Sequence, residues 1–195
     1  MSDVIPERPS RGSRHDGFPS STRLADGPAG CVEGPPTTAG MTIVALASCF
    51  FLTYPLVRWS KARGLRWTGA GFIGTLAGLL TANYLPSDPL RCGFTLIGAL
   101  GISVVISDIA EELLGQKDDQ RIVIDEWVGY WTSVALLPKT PVCLLSAFVL
   151  FRVVDTWKPL GLNGLARLPG GWGVVMDDVA GGLLVNAILR LLPLS

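Results

Sequence analysis

Three short blocks carry charge within locally apolar sequence: IVIDEWVG at 122–129, FRVVDTWKP at 151–159 and GGWGVVMDD at 170–178. A charged side chain in such surroundings is costly unless it is paired, bound to a metal or solvated in a cavity. The candidates for chemistry are therefore Asp125, Glu126, Arg152, Asp155, Lys158, Asp177 and Asp178. Asp125 and Glu126 are sequence neighbours, which point about 100° apart on a helix, so they are not expected to share one ligand position easily. An acidic pair at a helix N-terminus would also suit the macrodipole without any chemistry. Arg152, Asp155 and Lys158 are spaced i, i+3, i+6 along one helical face. That ladder keeps the acid ionised and leaves both cations able to meet phosphate, the arginine in bidentate fashion. A surface ion-pair ladder has the same spacing, but the apolar flanks argue against it. The third block runs from a glycine-rich loop into an acidic helix start, and glycine lets backbone N–H groups come close to an anion.

What is missing narrows the chemistry further. The single histidine, His15, lies in the amino-terminal head, far from the three blocks. No cysteine is followed by the five-residue spacer and arginine of a thiolate phosphatase, and DxDxT, GxSxG and P-loop patterns are absent. Clustered carboxylates with a few cations remain. Carboxylates crowded in a low dielectric repel one another, and a hard divalent cation relieves that repulsion. Mg²⁺ in particular takes a few carboxylates together with water and phosphate oxygens.

The elements that must position these residues read as helices, and strand signals are weak throughout. Residues 41–57, 67–85 and 92–107 carry no charge and approach the roughly 20 residues that cross a bilayer at about 1.5 Å each. Residues 122–137, 142–157 and 174–192 read as three further, shorter helices, punctuated by Pro138, Pro141 and Pro159. Gly74 and Gly78 form a small-xxx-small pair suited to close helix–helix approach. The segment 58–66 holds Arg58, Lys61, Arg63 and Arg66 with no acid, which the positive-inside rule places in the cytoplasm. Counting spans from there brings all three charged blocks to one cytoplasmic face. The weak step is the first span, which needs an external amino terminus or a re-entrant path around Pro55. Residues 1–40 are dense in Pro, Gly, Ser and Thr without apolar periodicity, and read as a disordered tail. They lack the apolar h-region of a secretory signal. Beyond them the charges nearly balance, so no nucleic acid is expected as a partner. Cys31, Cys49, Cys92 and Cys143 are scattered without CxxC spacing and do not suggest zinc.

In order and spacing the three blocks resemble the phosphatidylglycerophosphatase A family, and the resemblance runs from about residue 64 to residue 192. Asp118 matches a further acidic position of that family. The stretch AGFIGTL at 70–76 is similar to its PGTxGSL motif, with Ala70 in place of the proline, Phe72 of the threonine and Thr75 of the serine. These departures leave the exact substrate range open. The resemblance implies an all-α, membrane-bound protein, which together with the apolar segments gives a membrane-embedded helical bundle over 41–195 behind the head at 1–40; the first helix and the head have no clear counterpart in the family. It implies a Mg²⁺-dependent phosphatase acting on a phospholipid in the inner (cytoplasmic) membrane, with its site facing the cytoplasm. It would convert phosphatidylglycerophosphate to phosphatidylglycerol and inorganic phosphate. On that reading Asp125, Glu126, Asp177 and Asp178 hold the metal, and Asp125, Glu126, Asp155 and Asp178 take part in catalysis. Arg152 and Lys158 bind the phosphate, and Asp155 orients those cations or joins the metal shell. Whether water or an aspartate attacks is left open, as is the oligomeric state. Two other readings use the same charges: a transporter with buried acids as a proton or cation relay, and a catalytically silent membrane partner.

Overall fold

The computed structural model describes residues 37–64, 68–117, 119–157, 159, 164–165 and 168–192. Among them the chain is helical, with α1 (Thr38–Ala47), α2 (Thr53–Ala62), α3 (Ala70–Thr81), α4 (Pro89–Leu114), α5 (Ile124–Ser133), α6 (Pro141–Trp157) and α7 (Gly171–Leu191). No strand occurs in these residues. The expected all-α class is therefore what forms. The proposed disordered head falls almost wholly outside the described residues, although α1 already begins ahead of Met41. Its first turn is capped by Thr37, whose hydroxyl accepts from the Gly40 N–H at 3.2 Å.

The stretch 41–57 is not one span. Cys49, Phe50 and Phe51 all take positive φ (51°, 57° and 62°), a left-handed excursion that no α-helix can contain. The chain breaks there, ahead of Pro55, which sits harmlessly in the first turn of α2. The basic segment expected as a loop is largely helix, since Arg58 and Lys61 belong to α2. The stretch 67–85 condenses into α3, whose 12 residues reach only about 18 Å of the roughly 30 Å hydrocarbon core. The third stretch grows instead. Asp88 caps α4 by accepting from Arg91 N–H at 2.9 Å, Pro89 occupies the first turn, and a left-handed Gly115 (φ 67°) closes the helix. At 26 residues, α4 is the one helix among the described residues long and apolar enough to cross a membrane.

Helix α5, only 10 residues long, is the hub, packing against α3, α4, α6 and α7. Missing side chains make this possible. A Cβ on Gly182 of α7 would lie 2.2 Å from the Gly129 carbonyl oxygen of α5, and one on Gly74 of α3 would lie 2.2 Å from the Val123 oxygen. The close approach expected of Gly74 and Gly78 is thus realised against α5. Carbonyls at and just past the C-terminal end of α5 accept from side chains: Asn186 Nδ2 donates to Ser133 and Ala135 oxygens at 3.0 and 2.9 Å, and Lys139 Nζ to the Val134 oxygen at 2.8 Å. From the other side, the Trp127 and Trp131 indoles both donate to Thr81 Oγ1 on α3, at 2.9 and 3.0 Å. Fully buried Tyr130 and Phe151 fill the main core between α5 and α6. Losing either ring would cost about 3–5 kcal/mol.

The outer surface is unusually apolar. Leu90, Phe94, Ile97, Ile102 and Val105 form an exposed stripe along α4, and Val142, Leu145, Val149 and Val153 form another along α6. Contiguous exposed patches of this kind mark contact with a membrane or another protein.

Candidate active site

Three helices deliver the charged blocks to one cavity of about 310 Å³. The first turn of α5 supplies Asp125 and Glu126, the second turn of α7 supplies Asp177 and Asp178, and the last turns of α6 supply Arg152 and Asp155. The start of α3 closes one wall with Gly69, Ala70 and Gly71, and the segment entering α5 adds Asp119, Gln120 and Ile122. Lys158 and Asp118 lie outside the described residues.

The core of the site is a triad of carboxylates. Oxygens of Asp125, Glu126 and Asp178 lie within 4.8 Å of one another. Asp125 and Glu126 were expected to diverge, yet they converge, because the glutamate's extra methylene lets it swing back toward its neighbour. Glu126 has room to do so because residue 71 is glycine: a Cβ there would lie 2.2 Å from Glu126 Oε1 and 3.0 Å from Arg152 Nη1. Asp177 lines the same cavity outside that triad, and its Oδ1 accepts the Asp178 N–H at 3.1 Å. Asp125, Asp177 and Asp178 are buried.

Electrostatics follow from the crowding. Burial pushes the Asp125 carboxyl well up, and the nearby Glu126, Asp178 and Asp177 push it further. Burial likewise raises Glu126 to about 7, against the lowering effect of a side-chain hydrogen bond with Asp125, with Asp155 adding to the rise and Arg152 opposing it. Asp125 Oδ1 and Glu126 Oε2 are buried without any hydrogen-bond donor. Buried, orphaned oxygens on clustered carboxylates are what a hard divalent cation satisfies, so the residues present fit such an ion.

Arg152 is held beside the triad by two partners. Its Nη1 lies 2.9 Å from Asp155 Oδ2 and donates to Thr75 Oγ1 at 3.1 Å. The Thr75 hydroxyl in turn donates to the Gly71 oxygen at 3.0 Å. The first two members of the Arg152–Asp155–Lys158 ladder thus pair as their spacing suggests, with side chains only 15% and 16% exposed. The third block behaves differently from expectation. The anion that the Gly171 N–H meets is the protein's own Asp108, whose Oδ1 accepts at 3.1 Å. A Cβ on Gly171 would strike the Val104 oxygen at 2.1 Å, so these glycines serve the α4–α7 contact.

Two site residues escaped sequence reasoning. Thr75 was visible only as a departure from a motif, yet its hydroxyl is one of the two groups that hold Arg152. Asp119 stands next to the nominated Asp118 and is 2% exposed. It accepts from Arg121 Nε at 2.8 Å and Nη2 at 2.7 Å, a fork that the Asp-x-Arg spacing could have suggested. Burial raises the Asp119 carboxyl, but its hydrogen bonds and charge contact with Arg121 outweigh this and hold it below the usual range.

Residues 56–193 match the family model described as phosphatidylglycerophosphatase A. A phosphatidylglycerophosphatase A of Escherichia coli is 33% identical over 123 residues, covering 61% of this chain and 71% of that protein. A Bacteroides thetaiotaomicron protein provisionally described as a phosphatidylinositol-3-phosphatase is 30% identical over 154 residues, covering 76% of this chain and 77% of its own. No solved structure matches this chain significantly.

Proposed function

The chain belongs to the phosphatidylglycerophosphatase A family, and from that premise we propose that it hydrolyses the terminal phosphate monoester of phosphatidylglycerophosphate. The products are phosphatidylglycerol and inorganic phosphate. The observation that carries the reading is the carboxylate triad, with its orphaned buried oxygens, set beside an arginine fixed by two partners. A charge relay across a membrane predicts acids spread through its depth, whereas these acids line one cavity.

Asp125, Glu126 and Asp178 would hold Mg²⁺, with Asp177 beside them. Bound there, the ion would neutralise the carboxylates and offset charge on the phosphate. The protein's own groups do the rest. Arg152 offers its guanidinium to the equatorial phosphoryl oxygens, where charge grows in the transition state. Asp155 and Thr75 hold that guanidinium at a fixed angle, so little of its freedom remains to be lost when substrate arrives. Lys158, three positions after Asp155 in the sequence, is assigned as the second phosphate contact. Asp155 and the triad carboxylates are the groups within reach to orient an attacking water or to attack phosphorus directly. The exposed apolar stripes on α4 and α6 support action at a membrane surface. The basic residues of α2 favour the cytoplasmic side of the inner membrane.

The deciding experiment is phosphate release from phosphatidylglycerophosphate by purified protein, with Mg²⁺ and with chelator. Release that depends on the ion supports the proposal, and no release under either condition overturns it. Phosphatidylinositol 3-phosphate is the second substrate to assay, given the description of the Bacteroides relative. Preference for it over phosphatidylglycerophosphate would move the substrate assignment while keeping the site. Trapping labelled phosphate on the protein distinguishes attack by aspartate from attack by water.

A further inference from the structure

An apolar groove of about 340 Å³ lies between α3 and α6 and shares Gly69 and Arg152 with the charged cavity. Phe72 forms one side, and Phe148, Val149 and Val153 form the other. Three features make it more than a surface dent. Its walls are pre-set, since the Phe72 and Phe148 rings meet edge to face with centroids 5.1 Å apart. Its apolar side chains stay exposed, with Phe72 at 50%, Val149 at 61% and Val153 at 43%. Its position is fixed relative to the charge, because Phe148 and Val149 stand one turn before Arg152 and Val153 on α6. A ligand with its phosphate on Arg152 therefore has hydrocarbon surface within one helical turn, and no charged side chain other than Arg152 lines the groove.

We propose that this groove seats the apolar part of the substrate, the first acyl methylenes next to the glycerol backbone, and that Phe72 sets the preference for a lipid over a water-soluble phosphate ester. Phe72 stands where the family's motif has threonine, so the residue that departs from the pattern is the one that meets the substrate's hydrocarbon. The inference rests on the lipid phosphate-ester reading of the neighbouring cavity. It goes further in assigning a place to the lipid's apolar portion. Burying methylenes against Phe72 and Val153 strengthens binding with each carbon the groove can cover, and stops once it is full.

The test titrates single-chain alkyl phosphates of two, six and ten carbons into the full-length protein with Mg²⁺, reading affinity by calorimetry. The wild type is expected to bind the ten-carbon ester at least tenfold more tightly than the two-carbon ester. Phe72→Ser and Val153→Ser should each flatten that dependence by fivefold or more, while Leu80→Ser, an exposed leucine elsewhere on α3, keeps it. An unchanged chain-length dependence in both groove variants overturns the proposal, as does its absence in the wild type. The readout does not need turnover. Groove-dependent binding without hydrolysis of phosphatidylglycerophosphate would leave the groove standing and remove the substrate assignment. Hydrolysis without groove dependence would do the reverse.

Discussion

Replacing Glu126 by glutamine should make the metal-free protein more stable and the enzyme inactive, and the size of the first effect should depend on pH. In an unfolded chain the Glu126 carboxyl titrates near 4.5, and in the fold burial pushes it up to about 7. The folded state thus binds a proton more readily than the unfolded state between those values. Stability linked to this group is fully present below pH 4.5 and is lost as the pH rises through 7. Each pH unit of displacement is worth about 1.4 kcal/mol, so the ionised carboxylate costs the metal-free fold about 3 kcal/mol at pH 8. Glutamine is nearly isosteric and cannot ionise. Its removal of one charge also relieves Asp125, whose carboxyl is raised by burial and then by Glu126. The expected gain is about 3 kcal/mol at pH 8, or a Tm higher by about 6–12 °C for a chain of this size, and close to nothing at pH 4.5. The assay is thermal unfolding of both proteins in chelator across that range, repeated with Mg²⁺. The ion should raise the wild-type Tm more than that of the variant, reversing or closing the gap. Equal melting of the two chelated proteins at pH 8, or a gain of the same size at pH 4.5, would refute the argument that the triad is a repelling cluster awaiting a cation.

Further outcomes follow from the same geometry. Asp125→Asn and Asp178→Asn should each lower phosphate release by about a hundredfold or more and shrink the Mg²⁺-induced thermal shift; full activity in either variant removes that residue from the metal site. Thr75→Val should raise KM roughly tenfold, because the Arg152 guanidinium loses one of its two anchors, while Thr75→Ser should stay near wild type. Gly182→Ala drives a Cβ into the Gly129 carbonyl at 2.2 Å and should lower stability by about 1–3 kcal/mol or more, measured by denaturant or heat. Asp119→Asn removes the acceptor of the Arg121 fork and should cost about 1–3 kcal/mol at neutral pH. Because the folded Asp119 carboxyl lies below its ordinary value of 3.8, that difference should be full above pH 3.8 and vanish as the pH falls through the folded value.

The residue types and their spacing were enough to nominate a candidate site, and six of the seven nominated residues line one cavity. Seven charges in apolar surroundings, without a usable histidine or cysteine, left few chemistries, and the i, i+3 relation of Arg152 and Asp155 is a property of any helix that contains them. The all-α class was equally legible, because helical periodicity is local. What the sequence could not reveal is how far each helix runs and what each side chain meets. Nothing in the run 41–57 marks the left-handed turn at Cys49–Phe51, since that break depends on where α1 and α2 can pack. The glycines of the third block looked like an anion cradle, and only the approach of α4 shows that they meet Asp108 and Val104. Thr75 and Arg152 are 77 positions apart, and no local pattern couples them. Spacing along the chain decided which residues were candidates. Contact between helices distant in sequence decided which of them act together, because a carboxylate's partners are whatever the packed backbone brings within about 3 Å.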